Sequence, residues 1–316
     1  MFNSTDLKKS QNSIVPQQKV KFLVRLNQQK YVLLLLLPAL IWYVVFKYLP
    51  MIGSYLAFTD YGFSANINFV GLANFQRLFI SPSFWRALKN TLVISGYYLL
   101  FYFPLPIILA LLLNEFTSIR FKRIIQFIVY IPHFFSWVVV GGFFIMFLSP
   151  TSGVVNEIVK SFGHEPIFFM VNPHWFRTVV LLASHIWKDV GYGAVIFIAT
   201  LSTVDLELYD AAWVDGAGYW GRLWHITLPC LRSTIATVLL LQISNILRIF
   251  EQVLVMYNPA VYDVADVLST FSFTEGLQNG DIGFATAIGL FTSVTSLFLI
   301  FGTNYLSKKV IKESIL

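Results

Sequence analysis

Residues 91 to 113 read TLVISGYYLLFYFPLPIILALLL, 23 positions without one charged side chain. A helix of about 20 mainly apolar residues is what a hydrocarbon core about 30 Å thick requires. Working outward along the chain, five more stretches meet that requirement: Tyr31 to Leu49, Ile124 to Leu148, Val179 to Thr200, Ile235 to Met256 and Gly283 to Tyr305. The composition agrees, since 57% of the 316 residues are hydrophobic, 12% are charged and the mean hydropathy is +0.69. Soluble domains carry about 45–50% apolar and about 25% charged residues. The expected fold is all-α and integral to a membrane, with six transmembrane helices. Aromatic residues at 17%, 31 of them Phe, suit helices that pack in lipid and anchor their ends at the interface.

Six spans put both termini on one side, and the basic residues say which. Fourteen Lys and Arg fall on the side of the termini, in the tail (Lys8, Lys9, Lys19, Lys21, Arg25, Lys30), at Arg120, Lys122 and Arg123, at Arg222 and Arg232, and at Lys308, Lys309 and Lys312. Five fall opposite, Arg77, Arg86, Lys89, Lys160 and Arg177, while Lys47, Lys188 and Arg248 lie in or near spans. By the positive-inside rule both termini are cytoplasmic. The expected organisation is a basic cytoplasmic tail over 1–30, a six-span domain over 31–306 and a cytoplasmic tail over 307–316. The tail lacks the cleavage site of a signal peptide, so it reads as uncleaved. The net charge of +6 sits at the ends of apolar runs, as topology signals do, and gives no reason to expect nucleic acid.

The second span contains Phe-Pro-Leu-Pro over Phe103 to Pro106. Each proline removes a backbone donor, which reads either as a simple bend or as a functional hinge. The one cysteine, Cys230, excludes an internal disulfide and reads as a small packing residue. No GxxxxGK[ST] loop occurs, so the chain is not expected to hydrolyse ATP, and no HExxH or GxSxG pattern supports a catalytic or metal role. The five histidines, His133, His164, His174, His185 and His225, read as interface or packing residues.

The connection from Ser202 to Pro229, STVDLELYDAAWVDGAGYWGRLWHITLP, is unusual for a cytoplasmic face, because it gathers Asp205, Glu207, Asp210 and Asp215 where basic residues are the norm. A protein partner explains this better than lipid does. Ser202 or Thr203 is placed to cap a short helix, Asp215-Gly216-Ala217-Gly218 to break it, and a second helix to begin near Tyr219. Such a helix-turn-helix, tied to spans at both ends, forms a lever arm.

At these residues the sequence resembles the permease subunits of binding-protein-dependent ABC importers, whose "EAA" loop reads Glu-Ala-Ala, two residues, Asp-Gly-Ala, then an apolar stretch ending in Leu-Pro. Here it stands as Asp210-Ala211-Ala212, Asp215-Gly216-Ala217 and Ile226-Thr227-Leu228-Pro229. The resemblance covers residues 30 to 310 and is nearest to the maltose-type sugar-permease branch that takes up oligosaccharide and polysaccharide fragments. Asp210 departs from the usual Glu and has a shorter reach. The resemblance implies a coupling-helix loop in which Asp210, Ala211, Ala212, Asp215, Gly216 and Ala217 dock on an ATPase subunit. It further implies a second permease chain, with a heterodimer favoured and a homodimer left open, two cytoplasmic ATPase subunits, an extracytoplasmic solute-binding protein and a bacterial inner-membrane location. ATP and magnesium would be bound by those ATPase subunits, and no cofactor by this chain.

Ionisable groups at membrane depth face a cavity, a partner or a pathway. The candidates for a substrate pathway are Lys188, Asp189 and Tyr192 in the fourth span and Gln242, Asn245, Arg248 and Glu251 in the fifth, the last four at steps of three along one helix face. Lys188 and Arg248 suit carboxylate-bearing sugars. Internal pairing of Lys188 with Asp189 and of Arg248 with Glu251 is the competing reading. Two functions of other classes stay open on the sequence, an ion-coupled secondary transporter and a membrane enzyme acting on lipid-linked sugars.

Overall fold

The computed structural model describes residues 30–62 and 67–311, so most of the amino-terminal tail and Lys312 lie outside it. Among the described residues the fold is helical, with one isolated antiparallel bridge, Thr59 to Phe69, and no strand. Five helices are long and apolar enough to cross a membrane, or six if one sharply bent pair counts as a single span.

The chain divides into two units, Met1–Ser54 and Tyr55–Leu316. In the first, α1 (Lys30–Tyr43) continues through a π turn (Val44–Tyr48) into Leu49–Ile52. The second unit contains α2 (Ala73–Ile80), α3 (Pro82–Asn114), the bent pair α4 (Ile119–Phe134) and α5 (Trp137–Phe147), and α6 (Val154–Ser161). There follow α7 (Pro173–Leu201), α8 (Leu206–Val214), α9 (Tyr219–Asn245), α10 (Glu251–Met256), α11 (Leu268–Phe273) and α12 (Ile282–Ile311).

Three prolines shape spans without ending them. A π turn occupies Val44–Tyr48 before Pro50, Tyr98–Tyr102 before Pro104 and Leu223–Thr227 before Pro229. In each case the carbonyl four residues before the proline, which the ring would strike, lies inside the widened turn. The ladder shifts to i−5 bonds, such as the Phe103 amide to the Tyr98 carbonyl at 2.9 Å. The Phe103–Pro106 stretch is thus absorbed within a continuous 33-residue helix, α3.

Two expected spans require correction. Ile124–Leu148 is not one helix, because α4 and α5 meet at 103°. Pro132 tightens the chain into a 3₁₀ turn, Phe135 is extended, and the Ser136 hydroxyl accepts from the Val139 amide at 3.4 Å to start a new helix. The fifth span is not Ile235–Met256 but α9, which begins at Tyr219, takes in Arg222 and Arg232, and stops at Asn245. Residues 246–250 are not helical and α10 restarts at Glu251. The Ser95 hydroxyl takes up the freed Ile246 carbonyl at 2.6 Å, as a break at membrane depth demands.

Three buried clusters hold the second unit together. Ala110, Ala194, Phe197, Leu201 and Leu231 join α3, α7 and α9. Tyr98, Val140, Val180, Leu181, Val253 and Met256 join α3, α5, α7 and α10. Leu78, Phe84, Leu268, Phe271, Phe284 and Ile288 join α2, α3, α11 and α12. Helices α4 and α7 cross so closely that a Cβ on Gly191 would lie 2.0 Å from the Val129 carbonyl oxygen. Small residues permit such crossings in membranes, where packing rather than the hydrophobic effect drives association.

Candidate functional site

The break after α9 opens onto a cavity of about 420 Å³. Gln242 and Asn245 reach it from the end of α9, Arg248 from the break, Glu251 from the start of α10 and Asp189 from α7. The four fifth-span candidates therefore meet in one cavity, but across a helix break rather than along one helix face. Ser95, Tyr98, Trp137, His185 and Gln252 complete much of the wall.

Lys188 and Tyr192 are not in that wall. Lys188 is buried, donates from Nζ to the His133 carbonyl at 2.5 Å and lies 5.5 Å from the Trp137 ring centroid. Tyr192 stacks on His133 with centroids 3.8 Å apart and planes at 1°. Asp189 does not pair with Lys188. Its Oδ1 lies 2.8 Å from His133 Nδ1 and its Oδ2 lies 3.3 Å from His185 Nδ1. With the carboxylate an acceptor, each Nδ1 carries the proton. His185 Nε2 is then buried without a partner among the described residues, while the ring stacks on Tyr98 at 4.2 Å. Arg248 and Glu251 are both exposed on the cavity and form no ion pair with each other among the described residues.

His133 and His185 are thus more than packing residues, and the spacing of His185 and Asp189, four apart on a helix, carried that signal. Gln252 was also missed. It is buried, accepts from the Tyr98 hydroxyl at 2.5 Å, and donates to the Leu181 carbonyl at 2.7 Å and to the Ser184 hydroxyl at 2.8 Å. It fastens the helix restart to α3 and α7.

The second candidate surface is the α8 loop. Its N-cap is Asp205 rather than Ser202 or Thr203, with Oδ1 accepting from the Glu207 amide at 3.0 Å. At the other end Gly216 adopts φ +76°, a conformation that favours glycine. The Ala217 amide bonds the Ala212 carbonyl at 2.8 Å and the Gly216 amide bonds Trp213 at 3.1 Å, closing a Schellman stop. Asp210, Ala211, Asp215 and Gly216 are exposed, and Ala212 and Ala217 half-buried. Between them Trp213 and Val214 stand 73% and 83% exposed, an apolar tip outside the candidate spans. The Tyr209 and Thr227 hydroxyls meet at 3.0 Å, tying α8 to the first turns of α9.

Residues 102–312 match the family of binding-protein-dependent transport system inner membrane components. The chain belongs to that family. It is a multi-pass inner-membrane protein, and the readings as an ion-driven transporter or a lipid-linked-sugar enzyme are set aside. Among its relatives, Protein LplB of Bacillus subtilis is 43% identical over 301 residues, 94% of each chain. The polygalacturonan/rhamnogalacturonan transport system permease protein YteP of the same species is 41% identical over 303 residues, covering 95% of this chain and 94% of YteP. A chain of a bacterial alginate ABC transporter, solved in complex with its alginate pentasaccharide-bound periplasmic protein, is 38% identical with a TM-score of 0.87, covering 94% of this permease and 100% of that chain.

Proposed function

We propose that this permease forms half of the pathway of an ATP-driven importer for oligosaccharides that carry carboxylates. Relatives named for polygalacturonan, rhamnogalacturonan and alginate support that substrate class. So does Arg248, the one Arg or Lys side chain in the cavity wall among the described residues. The basic residues support both termini being cytoplasmic; with six spans the α8 loop would then lie on the cytoplasmic face, where Asp210, Ala211, Ala212, Asp215, Gly216 and Ala217 would seat on an ATPase subunit. ATP and magnesium belong to two such subunits. A second permease chain would close the open side of the cavity, and an extracytoplasmic binding protein would deliver the saccharide.

The observation that carries the mechanism is the continuity of α9. It runs 27 residues from Tyr219, beside the docking loop, to Asn245 at the cavity, with no break between. A rigid helix of that length spans about 40 Å at 1.5 Å per residue. Movement of the loop is therefore delivered to the break at 246–250, where Arg248 and Glu251 would be re-aimed.

The test is ATPase activity of the whole complex in proteoliposomes. Gly216→Pro cannot adopt φ +76° and destroys the Schellman stop. Stimulation of hydrolysis by loaded binding protein is expected to fall about tenfold or more, a loss of at least about 1.4 kcal/mol of coupling. Co-purification of the ATPase with the unsubstituted chain and with the variant separates a loss of docking from a loss of coupling. If no ATPase co-purifies, or the substitution leaves stimulation intact, the coupling reading is wrong.

A further inference from the structure

A second groove lies beside the main cavity and shares one wall with it. It measures about 360 Å³, and Phe250 lines both. Its other walls are Leu268, Ser269, Ser272 and Phe273 from α11, and Gly289 and Thr292 from α12. The Phe250 and Phe273 rings sit 5.4 Å apart at 52°. Among the described residues no charged group lines it.

Three properties distinguish this groove from a lipid-facing crevice. It is walled by three hydroxyls. Thr292 donates to the Ile288 carbonyl and Ser272 to the Ala285 carbonyl, leaving acceptor lone pairs, while Ser269 has no protein hydrogen bond among the described residues. The groove adjoins a cavity bearing Arg248 and Glu251, and charges at membrane depth imply water there. Finally, a Cβ on Gly289 would meet nothing within 4 Å, so the missing side chain leaves open space rather than permitting a close helix contact within this chain. Hydroxyls beside aromatic faces match a pyranose ring, with its polar edge and its apolar C–H face.

From this we propose that the groove between α11 and α12 is a second saccharide subsite, which holds an uncharged ring edge of an oligosaccharide whose carboxylate lies at Arg248. The inference rests on the oligosaccharide reading above and adds a consequence for length: a short saccharide fills the main cavity alone, and a longer one needs both.

The experiment uses the assembled complex in a Cys230→Ser background, since Cys230 is the one cysteine of the chain. Gly289→Cys is exposed to a membrane-impermeant, water-soluble thiol reagent without saccharide, in the resting state and in the state trapped with ATP and vanadate. The control is Phe298→Cys, on an exposed apolar position of the same helix. In parallel, Gly289→Leu, whose Cβ would meet nothing within 4 Å, is assayed for ATPase stimulation by binding protein loaded with digalacturonate or pentagalacturonate. Labelling of Gly289→Cys but not Phe298→Cys is expected, together with loss of the pentasaccharide response and retention of the disaccharide response in Gly289→Leu. No labelling in either state means the groove faces lipid or the second permease, and the subsite is refuted. Equal responses to both lengths in Gly289→Leu refute it as well. An unsubstituted complex that answers to neither probe removes the uronate reading and this subsite with it; the saccharide-free labelling tells that failure from a misplaced groove.

Discussion

Asp189 sits on a membrane-spanning helix with an imidazole on each carboxylate oxygen, and that arrangement leaves Arg248 as the cavity's available cation. Lys188, the other basic candidate, spends its charge on the His133 carbonyl and the Trp137 face. Arg248→Gln should therefore lower uptake of acidic oligosaccharides about tenfold or more, in keeping with the roughly 1.5–3 kcal/mol of a hydrogen bond to a charged group. Neutral oligosaccharides should be affected little. Competition uptake with a galacturonate and a neutral saccharide of equal length checks this, and an equal loss for both would remove Arg248 from charge recognition. Gln252 makes the opposite kind of contribution, to the fold. Gln252→Leu leaves the buried Tyr98 hydroxyl without its acceptor, at about 1–3 kcal/mol for a buried group left unmade, and takes one of two side-chain donors from the Leu181 carbonyl, which keeps the Ser184 hydroxyl at 3.2 Å. Thermal unfolding of the purified complex should begin at lower temperature than for exposed Gln278→Leu. Coincident curves for the two variants would show that the Gln252 network stabilises nothing.

At the level of elements, apolar runs were legible where helix and run coincide and illegible where they diverge. The runs over 91–113, 179–200 and 283–305 fall inside α3, α7 and α12. The run over 124–148 stays apolar through its bend, because hydropathy reports surroundings and not direction; only Pro132 and Ser136 marked the turn. In the fifth span, Arg222 and Arg232 hid the start of α9, while apolar residues beyond Asn245 extended the apparent span into the break and α10. The α8 loop was more legible, since its glycine stop is a local device. Yet Trp213 and Val214 carry no pattern that separates an exposed aromatic from a buried one. Helix crossings give the prediction at this scale. Gly191→Ala drives a Cβ to 2.0 Å from a backbone oxygen that cannot move aside, whereas Gly142→Ala meets nothing within 4 Å. The first should cost about 1–3 kcal/mol or more by overpacking, and the second should be neutral or slightly stabilising as alanine favours helix. Yield and monodispersity of the two variants in detergent measure this; matched behaviour would mean α4 and α7 do not cross at Gly191.

Across the whole molecule, the proposed coupling depends on sidedness, because it requires α9 to begin on the cytoplasmic face and end at the cavity. The basic residues predict that sidedness: Arg120, Lys122 and Arg123 lie near the start of α4, and Lys308 and Lys309 in the last turn of α12. With α8 on the same side, its acidic residues run against the local charge trend, as the proposed docking of a protein partner would require. The segment between α5 and α7, with α6 in it, must then face outward. Single cysteines in a Cys230→Ser background test the assignment at Val214, the exposed tip of α8, and at Thr151, in the exposed turn before α6. In intact spheroplasts an impermeant thiol reagent should label Thr151→Cys and spare Val214→Cys, and in inverted vesicles the pattern should reverse. Labelling of Val214→Cys from outside would place the docking loop on the wrong side for any ATP-consuming partner. The continuity of α9 would then connect the cavity to the extracytoplasmic face, and the coupling mechanism would fail whatever the merits of the cavity itself.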